Sequence, residues 1–315
     1  MKFRILAMAG LVFLFSCTKN DNAVQETPTK DTKRYPVHLS LKEFIHKLEP
    51  LPGNGARKLQ GGSAAKDSLL ASKLWGLRIV IHASSNPVAV VSTQLQYATD
   101  PDFGELTDSL PVGNYLVKIA AIADSGMLTT HEVVPPTVYD GEGYAREILK
   151  WPELFFNSQE FTVSATGTNE VNMSLNRASS ALEVNILDAP AVHPDSIVTV
   201  STHVLATYFS FVTGKGEEMA ATPSLVFPRG TGGAFSGLLV KIPNGNETVV
   251  FIKYRDRVTG NWMTKTIYNV PVQPNVKTIL TGRLYPLPEV PPSKYNNGFH
   301  IELNEAWGTP VQSEF

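Results

Sequence analysis

From about Trp75 onward, apolar residues mostly alternate with polar ones, the two-residue period of a half-buried strand. "LRIVIHAS" (77–84) is alternating and β-branched, and the period leaves His82 half-exposed. "GNYLVKIAAIA" (113–123) alternates through Tyr115, Val117 and Ile119 and then runs apolar. "QEFTVSAT" and "NEVNMSLN" flank "GTN" (167–169), a hairpin signal. "ALEVNIL" sets Leu182, Val184 and Ile186 on one face, and "DSIVTVST", "ATYFSFVT", "PSLVFP", "SGLLVKIP" and "ETVVFIKYR" follow at near-regular spacing. An Asn-Gly turn sits in "PNGNE" (243–247), and a further hairpin is expected around Thr259–Asn261, where Gly260 accepts positive φ. The last strand, "GFHIELNEAW", places Phe299, Ile301 and Leu303 on one face.

Two stretches break the period. In "LSLKEFIHKLEPLPG", Ser40 and Glu43 form a capping box, and Leu41, Phe44, Ile45 and Leu48 fall at helical spacing, which predicts a short helix stopped by Pro50 and Pro52. "GYAREILKWPELFF" (143–156) predicts a helical turn followed by a loop. Many short strands, scant helix, 23 Gly and 22 Pro favour packed sheets over a βαβ fold. The expected class is all-β, with two tandem β-sandwiches. The N-terminal one covers 36–176 with its short leading helix, and the C-terminal one covers 177–315 with its C-terminal strand.

The N-terminus reads differently. Lys2 and Arg4 precede an apolar run, Ile5–Phe15, of the length of a secretory signal and too short to span a bilayer as a helix. Leu14, Phe15, Ser16 and Cys17 resemble a bacterial lipobox. The resemblance implies a lipoprotein signal peptide over 1–16, acylation of Cys17 with diacylglyceryl and palmitate-type chains, and anchoring in a membrane. Two or three chains hold where one is marginal, since each buried methylene contributes roughly 0.8 kcal/mol. Residues 17–35 are polar and charged and are expected to form a tether. Thr18, in place of the Asp of the inner-membrane retention signal, points to the outer membrane.

Composition narrows the chemistry. The 315-residue chain is 43% hydrophobic, enough for real cores, and its net charge of −2 with no basic aromatic face argues against a nucleic-acid partner. One Cys cannot form an internal disulfide. His38, His46, His82, His131, His193, His203 and His300 are scattered without metal-ligand spacing. The acidic loops 100–108 and 139–144 lack full calcium-loop spacing, and "RGTGGAFSG" (229–237) has no phosphate-cradle Lys. No nucleophile elbow occurs. No enzyme, metal or cofactor is therefore expected. "DSL" (67–69), "DSL" (108–110) and "DSI" (195–197) resemble Bacteroidota O-glycosylation sites, with Ser68, Ser109 and Ser196 as acceptors; Asp-Ser also suits plain turns. Of Trp75, Trp151, Trp262 and Trp307, Trp262 stands beside a hairpin turn and is a candidate platform for a glycan ring, although Trp in a sandwich is more often packed.

Three further stretches, in order, carry a family resemblance. "FGELTDSLPVGNYLVKIAA" (103–121) looks like the strand entry of transthyretin-like sandwiches, with Tyr115 capping the core. "VNMSLNRASSALEVNI" (171–186) resembles the junction between two such domains, and "NWMTKTIYNVPVQPNVKTILTGRLY" (261–285) a late pattern of the second. With the lipobox they resemble the fimbrillin superfamily of Bacteroidales, fimbrial subunits and their anchor lipoproteins. The resemblance implies two Greek-key transthyretin-like sandwiches, other fimbrial subunits as partners, adhesion to a host or bacterial surface ligand, and assembly by strand exchange. Phe299, Ile301 and Leu303 then mark a candidate donor strand; the alternative is that this strand pairs within its own domain. A stand-alone surface glycan-binding lipoprotein is the competing function.

Overall fold

The computed structural model describes residues 33–44, 68–124, 126–135, 137–139, 145–148, 150–188, 198–203, 206–217, 224–230, 233–241, 245–256, 258–285 and 299–304. Its first element overturns an expectation. Arg34–Phe44 is a strand, β1, where a helix was expected from Ser40; the rest of that helix, from residue 45, lies outside the described residues. Val37, Leu39 and Leu41 are buried, a period of two. β1 runs parallel to β11 (Asn169–Arg177) and antiparallel to β4 (Glu105–Pro111), so it has a ladder on each side. Ser40 donates its hydroxyl to the Glu105 carboxylate (2.6 Å) instead of capping a helix. A cap contributes about 1 kcal/mol. Three buried aliphatic side chains contribute roughly 1.5–3 kcal/mol each, and the strand wins.

The N-terminal sandwich has two sheets. One runs β3 (Asn86–Tyr97), β2 (Gly76–Ala83), β5 (Gly113–Ile122), β10 (Leu154–Val163); the other runs β11, β1, β4. They touch at a corner where Phe155 and Phe156 pair with Arg177 and Asn176. The hairpin expected around 167–169 is instead an arch, because β10 pairs along its length with β5 while β11 pairs with β1. Gly167 turns the arch with φ 92°. The chain also crosses between sheets at "LPVGNY". There the Tyr115 hydroxyl donates to the Pro111 carbonyl (2.9 Å), and the buried ring stacks on Phe161. A short helix, α1 (Ser68–Lys73), brings Leu70 over the same core, into which Leu74 also packs.

The apolar run ending β5 is explained by burial on both faces. Val117, Ile119 and Ala121 face the N-terminal core, while Ala120 and Ile122, with Val80 of β2, belong to a second core. That core is shared with the C-terminal sandwich. One of its sheets runs β17 (Phe235–Val240), β12 (Ser179–Ile186), β20 (Lys277–Gly282), β21 (Phe299–Asn304). The opposing sheet runs β19 (Trp262–Pro271), β18 (Glu247–Arg255), β13 (Thr199–His203), β16 (Ser224–Phe227), β9 (Ala145–Ile148), β8 (Thr137–Tyr139). A small sheet runs β15 (Lys215–Glu217), β14 (Tyr208–Ser210), β7 (Glu132–Val134), β6 (Met127–Leu128). The strands β6–β9 lie between β5 and β10 in sequence yet join sheets of the C-terminal sandwich. The helical turn expected in 143–156 is thereby corrected: Ala145–Ile148 is drawn into a parallel ladder with β16. The β18–β19 hairpin forms as expected, with Gly260 at φ 68°. Covering the outer face of the β3–β2–β5–β10 sheet also corrects His82, which is 2% exposed. Among the described residues no helix is long and apolar enough to cross a membrane.

Candidate functional site

Exposed sheet edges are where a sandwich meets another strand, and most edges here are blunted. β3 carries Pro87 and faces register shifts at His82; β19 carries a bulge, with Asn269 at φ 56°. β6, β8 and β15 are two or three residues long. β4 and β17 are also longer edges in unbroken register, but of the three only β21 bears a large exposed apolar side chain, Leu303. β21 pairs with β20 in unbroken antiparallel register, from Lys277↔Asn304 to Gly282↔Phe299, and among the described residues its other side is the end of the sheet. Phe299 is buried, Ile301 is half-buried, and Leu303 is 38% exposed. The Phe299 ring lies directly over Gly282, where an added Cβ would stand 2.5 Å from it. Lys265 reaches over the same ring and donates to the Arg283 carbonyl (2.7 Å); burial pushes its amine below the usual lysine range.

Trp262 opens β19 and is 46% exposed. Lys253 Nζ lies 5.1 Å and Arg255 Cζ 5.8 Å from the ring centroid. Both cations come from β18, Arg255 directly opposite Trp262 and Lys253 diagonally. Trp151, by contrast, is 1% exposed and part of the shared core. Of the candidate glycosylation serines, Ser109 is exposed on β4, at the rim of its sheet; its N–H is capped by Asp108 (2.6 Å) and its carbonyl accepts from Arg34 (2.7 Å). Ser68 is the first residue of α1. Ser196 and Cys17 lie outside the described residues. Among the described residues no group of three or more His, Cys, Asp and Glu side chains is placed to hold a metal ion.

The junction between the sandwiches holds polar residues that the period-two reading passed over. Arg177, where β11 ends, has a fully buried side chain. It pairs with Glu153 (2.7 Å), donates to Asn275 (3.1 Å) and lies over the Phe155 ring. Burial pushes the Glu153 carboxyl up, and the Arg177 charge pulls it partly back. Lys118 of β5 donates to the Val212 carbonyl (3.1 Å), and its amine is pushed down by burial. His82 is pushed down by burial and then by the Lys118 charge, with partial relief from the Ala89 carbonyl. One signal was legible: Lys118 stands inside an otherwise apolar run, where a cation needs a partner.

No family pattern and no curated protein sequence matches the chain. Solved structures do resemble it. A Bacteroides thetaiotaomicron protein provisionally described as polysaccharide-binding superposes with TM-score 0.50 at 9% identity, over 88% of this chain and 98% of that one. The likeness is one of fold. The tip fimbrial protein Mfa3 from Porphyromonas gingivalis, with C-terminal truncation, gives TM-score 0.43 at 12% identity, over 86% of this chain and 99% of that one. The fimbrial anchor protein Mfa2 from the same organism gives 0.41 at 10%, over 88% and 99%. The superposition at TM-score 0.50 agrees with the all-β sandwich architecture described above.

Proposed function

We propose that the chain is a lipid-anchored cell-surface subunit of a fimbria-like assembly, fixed to the outer membrane through Cys17 and joined to other fimbrial subunits by strand complementation. The observation that carries this reading is β21, an edge strand in unbroken register, with one neighbour among the described residues and Leu303 exposed. An added strand, or β21 itself placed in a neighbour, would satisfy backbone groups that an edge leaves bare. β1 supports a basal role. It fills the slot between β4 and β11, and the chain runs back from it toward Cys17. A donor strand from outside would find that slot occupied, so subunit contact falls to the free edges.

The test is a lock. In a Cys17→Ser background, Leu280→Cys with Ile301→Cys joins register partners of β20 and β21. If β21 is donated, oxidation abolishes capture of a neighbouring fimbrial subunit and reduction restores it. Capture that survives the lock but is lost on Leu303→Asp assigns β21 as an accepting edge. Capture insensitive to both refutes strand sharing here. The anchor is tested separately: palmitate labelling should vanish in Cys17→Ala. Hexose-bearing peptides at Ser68, Ser109 and Ser196 in mature protein would establish the glycosylation reading, and bare peptides would end it.

A second reading, a stand-alone glycan-binding surface lipoprotein, is favoured by the half-exposed Trp262 ring flanked by two cations. Glycan-array binding that disappears in Trp262→Ala, without any captured subunit, would select it.

A further inference from the structure

A cleft of about 480 Å³ opens where the two sandwiches meet, within the size range of small-molecule sites. Among the described residues its lining is cationic: Arg177, Lys215 and Lys241 contribute and no acidic residue does, in a chain whose net charge is −2. Arg177 is neutralised by Glu153. Neither lysine has an ion-pair partner among the described residues. Two lysines without an ion-pair partner among the described residues therefore border one concavity.

The walls are fixed. Phe156 stands half-buried at the rim and packs edge-to-face on Phe209 at 5.2 Å. The β14–β15 turn lies against the same ring, since a Cβ on Gly214 (φ 65°) would come within 2.7 Å of it. Gly216 is seated as closely, 2.8 Å from the Lys241 carbonyl for an added Cβ. Beside Phe156, its register partner Asn176 and Ser158 two residues along β10 also line the cleft, and their side chains make no hydrogen bond to other described side chains or backbone. An aromatic wall, an amide, a hydroxyl and two amines suit a hydroxylated ring that carries a carboxylate. Such a ring would pack on Phe156, with its hydroxyls toward Asn176 and Ser158 and its carboxylate toward Lys215 and Lys241.

We infer that this cleft binds an acidic sugar, a hexuronate unit, and that the ligand bridges the two sandwiches. The amines come from the C-terminal sandwich, and the amide and hydroxyl from the N-terminal one. The site is distinct from the Trp262 surface and does not rest on the subunit reading.

The experiment titrates the full chain with galacturonate and, as its neutral counterpart, galactose, by calorimetry and by thermal unfolding. Saturable galacturonate binding that raises the unfolding midpoint is expected, with galactose roughly tenfold weaker or worse. The double variant Lys215→Gln/Lys241→Gln should lose about tenfold or more in galacturonate affinity and keep the unliganded midpoint, because neither amine has an ion pair among the described residues. Equal binding of galactose, unchanged affinity in the double variant, or no saturable binding overturns the proposal. So does inorganic phosphate or an acidic peptide binding as tightly as galacturonate. Loss of binding in Lys253→Gln instead would move the site to the Trp262 surface and equally refute the cleft. Subunit capture by β21 is untouched by any of these outcomes.

Discussion

The N-terminal and C-terminal sandwiches are built from the same kind of strand but complete themselves differently. The N-terminal one closes with its own β1, inserted between β4 and β11, and keeps a core of its own. The C-terminal one borrows. Its two ladders at β14 and β16 are extended by β7 and β9, which arise between β5 and β10, and its core continues onto Val80, Ala120 and Ile122 of the neighbouring sheet. An all-β body can thus be self-sufficient in one half and dependent in the other. The seam between them is where polar groups must be paired, because both sides have left water.

The strongest way to break this relation is at the seam. Glu153→Ala leaves the Arg177 guanidinium buried without its carboxylate, and unfolding in urea should show a loss of about 3–5 kcal/mol. A loss below about 1 kcal/mol would mean the pair acts as a surface bridge. Next is Leu39→Ala at the centre of β1, buried in the N-terminal core alone. It should cost roughly 2–5 kcal/mol. Hydrogen exchange should quicken in the C-terminal sandwich as well, if that half depends on its neighbour; quickening confined to β1, β4 and β11 would show the two halves to be independent.

Gly282→Ala tests the dependent half by itself. The new methyl meets the Phe299 ring at 2.5 Å and should cost about 1–3 kcal/mol, with faster exchange over Phe299–Asn304 and little change around β1. The smallest effect is a pH slope. His82 titrates below its usual range when folded, while the unfolded residue has a pKa of about 6.5. The unfolded chain therefore takes up the proton first, so stability is held above about pH 6.5 and declines as pH falls through that value. His82→Gln should flatten that decline; an unchanged slope would place the titrating group elsewhere.

Much of the pattern was readable. Leu182, Val184 and Ile186 are buried together, Gly260 turns the β18–β19 hairpin, and Tyr115 closes its core as its motif implied. Three misreadings share one cause. The helix from Ser40, the helical turn at 143–156 and the half-exposed His82 were inferred from local signals, and each was overridden by a distant partner: β4 and β11, β16, and the C-terminal sandwich. The arch at 167–169 differs only in pairing, since its strands were placed correctly. The cleft was invisible because Lys215, Asn176 and Lys241 come from three separate strands or their ends, none carrying a motif.

The sequence by itself determined that this is a β protein, which residues of most strands point inward, and where several turns fall, because side-chain alternation and glycine φ are local properties. The tertiary structure decided which strand lies beside which, that one sheet is covered on both faces, and that Arg177, Lys118 and His82 are buried. Backbone N–H and C=O groups are alike in every residue. A strand's pattern therefore states which face is dry without naming the neighbour that keeps it so.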